Sequence, residues 1–405
     1  MKSHMAFTFG EKPRNLATAN RVLPKAAFAN LNIIRALSGL VVVFAHFFQL
    51  YVMPVVGRTR PINIAVASAE YAVLAFFTLS GFLIALSIER NIHNHGHFNW
   101  REYLISRVAR IYPALIASVI LCLLLYGALH LLGISGAGSL SRPSDVYPAS
   151  RMEFSLTPYE VIFTLMQTYA FGPGGYISAN GPLWTLSYEV GFYLVAGLLI
   201  TLMRGEGLSR IFSGVCLVLV AIVAIRMEKF LFLHYGSIWL LGVCLFMGLK
   251  NTGNCENIKV SEQKVYLANF SSWSIVLLFS LLCFTNVLLA LAGLDGALIH
   301  NWLASVFIIT SLIGITRLRQ NIFPRFVSLA NSTYTLYLFH FPLMLFFYAV
   351  IRDIHDVSPF KYFIAASIFT ICIVPACHYL AKILEDRKLW ESFLEKLRTR
   401  TTSCT

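Results

Sequence analysis

Charge is what this chain has least of. Asp, Glu, Lys and Arg make up 13% of 405 residues, and only 19 are acidic, against ~25% charged in an average soluble domain. So little charge cannot cover a soluble fold of this size, whereas 57% hydrophobic residues and a mean hydropathy of +0.70 suit a chain solvated by lipid. A net charge of +13 would suggest nucleic acid in a soluble protein. Here the basic residues lie mainly between apolar runs and read as topology signals, so no nucleic-acid partner is expected. Metal-ligand spacing is lacking too: the eight cysteines form no CxxC or Cys/His pattern. Cys122, Cys216, Cys244, Cys283, Cys372 and Cys377 fall in apolar runs and read as buried thiols. His93, His95 and His97 alternate in a polar loop without carboxylate or cysteine support and read as solvated, so no metal is expected. No GxxxxGK or GxGxxG run is present. No internal repeat supports the inverted-repeat plan of many transporters. The polar first 30 residues carry no short apolar core, so the first helix is expected to be retained.

What is present is a series of apolar runs, at about 31–51, 71–88, 108–132, 184–203, 211–227, 230–249, 273–293, 298–316, 333–351 and 362–383. They predict an all-α integral membrane protein, a bundle of about ten transmembrane helices. Of the 32 Lys and Arg, 23 fall in the tails and even-numbered connections and 8 in the odd-numbered ones. The positive-inside rule then places both termini in the cytosol of a cell-membrane protein. Residues 1–30 and 386–405 read as cytosolic tails and 31–385 as the membrane domain. The long connection 133–182 falls outside. Within it, Tyr159–Phe171 is apolar but too short to span and reads as an interfacial or re-entrant helix. Tyr147, Tyr159, Tyr169 and Tyr176 are available there to stack on sugar rings.

Ionisable residues inside such runs are costly and mark candidate sites. Arg35 and His46 share the first run, LNIIRALSGLVVVFAHFFQLY. Eleven residues are about three helical turns, so both face one way, ~16 Å apart along the axis. In RVARIYP, Arg107 and Arg110 stand three apart, nearly on one face. They read either as snorkelling anchors or, with Arg35, as a site for a phosphorylated cofactor. In GPLWTLSYEVGFY, Pro182 fits a first helical turn and buries Glu189 seven residues on. That depth, ~10 Å from the outer surface, is also the one reached by His46, and it predicts a base beside a carboxylate. Ser80 and Gly81 form a small-residue point that suits close helix packing or a thin acyl chain. Tyr337 and His340 share one face of a late helix.

Together Arg35 with His46, SGF at Ser80 to Phe82, RVARIYP, WTLSYE and TYTLYLFHFP resemble the membrane-bound acyltransferase-3 family, from about Leu31 to Ile383. The resemblance implies O-acylation of sugars and related acceptors from acyl-CoA. It implies that His46 is the essential histidine, Arg35 its paired arginine, and Arg107 and Arg110 the pair on the CoA side. Trp184 and Glu189 match the family's tryptophan-to-glutamate segment, which here runs on to Tyr193. The C-terminal esterase domain of some members is missing from this sequence, which favours direct acylation. The expected reaction moves an acyl group, acetyl first among them, from acyl-CoA to a glycan or lipid-linked saccharide. His46 would act as base, oriented by Glu189, with Ser80, Trp184, Tyr193, Tyr337 and His340 in support. The alternative is a proton-coupled transporter or exporter of a glycan or anion, with Arg35, His46 and Glu189 as its relay.

Overall fold

The computed structural model describes residues 25–134, 156–169, 175–226, 230–251, 296–316, 327–351 and 358–402, and its described regular elements are all helical. Helix α1 runs Lys25–Phe47 and continues through a π-turn, Phe48–Val52, and a last turn, Met53–Val56, that ends at Gly57 with φ 81°. Then follow α2 (Arg60–His95), α3 (Trp100–Leu131), the short α4 (Pro158–Met166), α5 (Leu183–Arg204), α6 (Gly207–Arg226), α7 (Phe230–Asn251), α8 (Gly296–Thr316), α9 (Thr333–Ile351), α10 (Pro359–Leu384) and α11 (Arg387–Thr402). The turn between α2 and α3 follows from side-chain chemistry. Gly96, at φ 74°, ends α2, Asn99 caps α3, and the Asn91 amide both accepts from the Asn99 N–H (2.7 Å) and donates to its carbonyl (3.1 Å).

Among the described residues six helices are long and apolar enough to cross a membrane, not the ten expected. Over their described residues α6, α7 and α8 offer shorter apolar stretches: Gly207–Val223, Phe232–Gly248 and Leu303–Gly314. Over the residues described, these three stretches fall short of the ~20 apolar residues that a span requires. The expected run at 273–293 lies outside the described residues. The protein is nonetheless a multi-pass membrane protein. Large apolar side chains face outward along its helices, for example Phe360, Ile364, Ile368 and Ile371 on α10, where lipid rather than water is the compatible solvent.

Helix α2 lies between α1 and α7, and α9 lies against α1, α3 and α10. Close approach of α2 and α7 needs glycine at two points. A Cβ on Gly81 would sit 1.9 Å from the Trp239 carbonyl oxygen, and one on Gly242 would sit 1.9 Å from that of Thr78. Gly81 therefore serves helix packing.

Candidate active site

One end of the bundle holds a cavity of about 790 Å³, its mouth included. Its charged lining is Arg35 from α1, Arg110 from α3, Glu189 from α5 and Glu385 from the end of α10. Ser80 and Tyr337 line it as well, as do Thr333 and Tyr334 from the first turn of α9. Arg35 donates to the Ala330 carbonyl at 2.5 Å, just ahead of α9. Among the described residues the Arg110 guanidinium has no hydrogen bond, and neither arginine forms an ion pair with a carboxylate. Glu189 and Glu385 lie within electrostatic reach of both.

The carboxylates are held by hydroxyls and amides instead. One oxygen of Glu189 accepts from Ser80 (3.0 Å) and from the Tyr193 hydroxyl. One oxygen of Glu385 accepts from the Thr335 N–H (2.8 Å) and from its hydroxyl (2.7 Å). Arg107 does not line the cavity. Its guanidinium donates to Ser87 and stacks on Tyr103 and Tyr193, 5.2 and 5.4 Å from the ring centres. It thus stands behind Tyr193, which in turn holds Glu189. Trp184 is likewise outside the cavity, packed on Tyr188 and Tyr235.

The histidines form a second centre. The rings of His46 and His340 lie 5.2 Å apart, and Phe341 meets His46 edge-on at 4.9 Å. His46 Nδ1 lies 2.8 Å from the Gln49 amide oxygen, which can only accept, so Nδ1 carries the proton and the lone pair is on Nε2. His340 Nδ1 donates to the Leu336 carbonyl (2.9 Å), and its buried Nε2 has no hydrogen-bond partner among the described residues. Tyr337 stands between the two centres. Its ring lines the cavity on one side and lies 6.0 Å from that of His340 on the other. Its hydroxyl is pinned between Thr185 (2.6 Å) and the Pro182 carbonyl (2.8 Å).

The expected His46–Glu189 pair is not formed, and the reason lies in where α5 begins. Pro342 has no N–H, so the Leu338 carbonyl of α9 lacks its helical partner, and Asn180 Nδ2 donates to it at 2.8 Å. This draws the segment Ile177–Pro182 into the bundle, where Ile177, Ala179 and Asn180 are fully buried. Pro182 therefore starts α5 beside Tyr337, not at the surface. Seven residues on, ~10 Å further along the axis, Glu189 stands at the level of Arg35 and Arg110. The place expected for Glu189 beside His46 is taken by Gln49, three residues along the same helix.

Elsewhere, His95 of HNHGH does meet a carboxylate: Glu102, from the next helix, lies 2.7 Å from its Nε2. Among the described residues no group of three His, Cys, Asp or Glu is placed to hold a metal ion. The expected Tyr159–Phe171 stretch overlaps α4, whose start is fixed by a Thr157/Glu160 capping box and which leaves Tyr159, Ile162 and Met166 exposed.

Neither a curated protein nor a solved structure matches the chain. A family model described as an acyltransferase domain, that of acyltransferase-3, matches residues 28–379 and so takes in the cavity, except for Glu385, together with both histidines. The chain belongs to the acyltransferase-3 family of membrane acyltransferases.

Proposed function

We propose that the protein is an acyl-CoA-dependent O-acyltransferase of the cell membrane, with both termini cytosolic, that moves an acetyl group to a hydroxyl of a glycan or lipid-linked saccharide. The observation that carries this reading is the pair of guanidiniums, Arg35 and Arg110, facing a cavity without ion-pairing to a carboxylate. Among the described residues neither guanidinium is tied to a carboxylate by a hydrogen bond, so a phosphate that both can reach would gain charge-assisted hydrogen bonds from donors already facing the cavity.

In this account the donor's phosphates rest on Arg35 and Arg110 and its pantetheine arm passes Tyr337 toward the histidines. Arg107 acts one layer back, fixing the Tyr193 that holds Glu189. Nε2 of His46 takes the proton of the acceptor hydroxyl as its oxygen attacks the thioester carbonyl carbon. The C–S bond breaks, and the leaving sulfur takes the proton from His46, giving ester and free CoA. Gln49 keeps the imidazole in the tautomer this requires. His340 offers a lone pair on Nε2 to an N–H or O–H of either substrate.

The test is purified protein in lipid with isotopically labelled acetyl-CoA and a glycan extract from the source cell. The label is expected on a saccharide, with CoA released in step. Glycan flux without CoA release would overturn the reading in favour of a transporter.

A further inference from the structure

Glu385 lies beyond the matched residues 28–379 and is the first of the two residues between α10 and α11, yet its carboxylate lines the cavity with Arg35 and Arg110. Thr335 is in the first turn of α9, where backbone N–H groups lack helical acceptors, and one Glu385 oxygen caps that N–H while also taking the Thr335 hydroxyl. Among the described residues the other oxygen is uncommitted. With Glu189 and Glu385 both ionised, the two arginines of the cavity are formally balanced. A phosphorylated ligand entering there meets two cations and two anions, of which Glu189 is held from two sides by side chains and Glu385 only by Thr335.

Glu385 also stands on a joint. Its N–H closes α10 on the Ala381 carbonyl (2.8 Å), and the next residue, Asp386, caps α11 at the Leu389 N–H (3.2 Å). Trp390 of α11 reaches back to the Ile383 carbonyl (2.9 Å), and α11 packs on α3, the helix that carries Arg110.

Resting on the donor reading above, we propose that Glu385 is a built-in competitor of the donor's phosphate. Its charge opposes phosphate at Arg35 and Arg110, and its carboxylate swings off Thr335 on the two-residue joint when phosphate arrives. The consequence is weaker retention of spent CoA, so that the site can turn over.

The test measures binding of CoA, of inorganic pyrophosphate and of phosphate-free S-acetylpantetheine to the wild type, to Glu385→Gln and to Glu385→Asp. Glutamine keeps an oxygen for the Thr335 cap and loses only the charge. E385Q is expected to bind CoA and pyrophosphate about 10-fold more tightly, with S-acetylpantetheine unchanged and E385D like the wild type. Equal or weaker CoA and pyrophosphate binding by E385Q would overturn the proposal, as would an equal gain for S-acetylpantetheine. Should E385Q not fold, hydrogen exchange at the Thr335 amide of the wild type decides: faster exchange with pyrophosphate supports displacement, and unchanged exchange refutes it. Tighter pyrophosphate binding without any acyl transfer would leave this role standing and remove the acyltransferase reading. CoA-dependent transfer with no gain in E385Q would do the reverse.

Discussion

The cavity and the histidine centre are neighbours built on opposite principles. The cavity gathers four charges from four helices and, among the described residues, joins none of them directly, so its electrostatics are open to a ligand. Among the described residues the histidine centre has no carboxylate hydrogen-bonded to it: its two rings lie together beside Phe341 and Gln49, with the Leu336 carbonyl on His340. A site that must bind and release a phosphorylated ligand needs unpaired charge, and one that must move a single proton needs a fixed tautomer in apolar surroundings. Tyr337 keeps the two apart.

This division is sharpest at the arginines. Arg110→Ala should weaken CoA binding by roughly 10- to 100-fold, the worth of one or two charge-assisted bonds. Arg107→Ala should leave the cavity's cations in place and instead lower thermal stability, through loss of the contacts to Ser87, Tyr103 and Tyr193. Equal losses of CoA affinity in both variants would break the distinction drawn here. At the histidine centre, Gln49→Leu should lower kcat by about 10-fold with KM for the donor unchanged, since it removes only the bond that orients His46. A rise in KM alone would assign Gln49 to binding. The smallest change should come from Tyr337→Phe, which keeps the ring and removes the hydroxyl that Thr185 and Pro182 hold. The barrier would loosen, and kcat should shift by about 2- to 5-fold with CoA affinity intact; a larger loss of affinity would place the hydroxyl on the donor.

Much of this was legible in the residues. Arg35, Arg110, Glu189, Ser80 and Tyr337 were singled out as costly or patterned groups in apolar runs, and they converge on one cavity. Depth was the weak step, because counting α5 inward from a surface start assumes that its first residue lies at the surface. Asn180 and the carbonyl freed by Pro342 draw that start into the bundle, and no linear pattern reveals a contact spanning 158 residues. Glu385 reads as the last residue of the membrane domain, next to a charged tail, and its partner Thr335 is 50 residues away. Gln49 had a signal: a side-chain amide three residues after a histidine in an apolar run, on one helix face. Arg107 and Arg110 share a motif, but only one reaches the cavity, since their facing directions depend on Tyr193 and Ser87 from other helices.

The central claim is that binding belongs to the cavity and chemistry to His46. Its most direct test is His46→Ala, with CoA binding and acetyl transfer in a single turnover measured on the same preparation. The account predicts unchanged CoA affinity and transfer lowered by roughly 100- to 10,000-fold, the range of a lost general base. Lost CoA affinity with transfer still proceeding from the donor that does bind would contradict it.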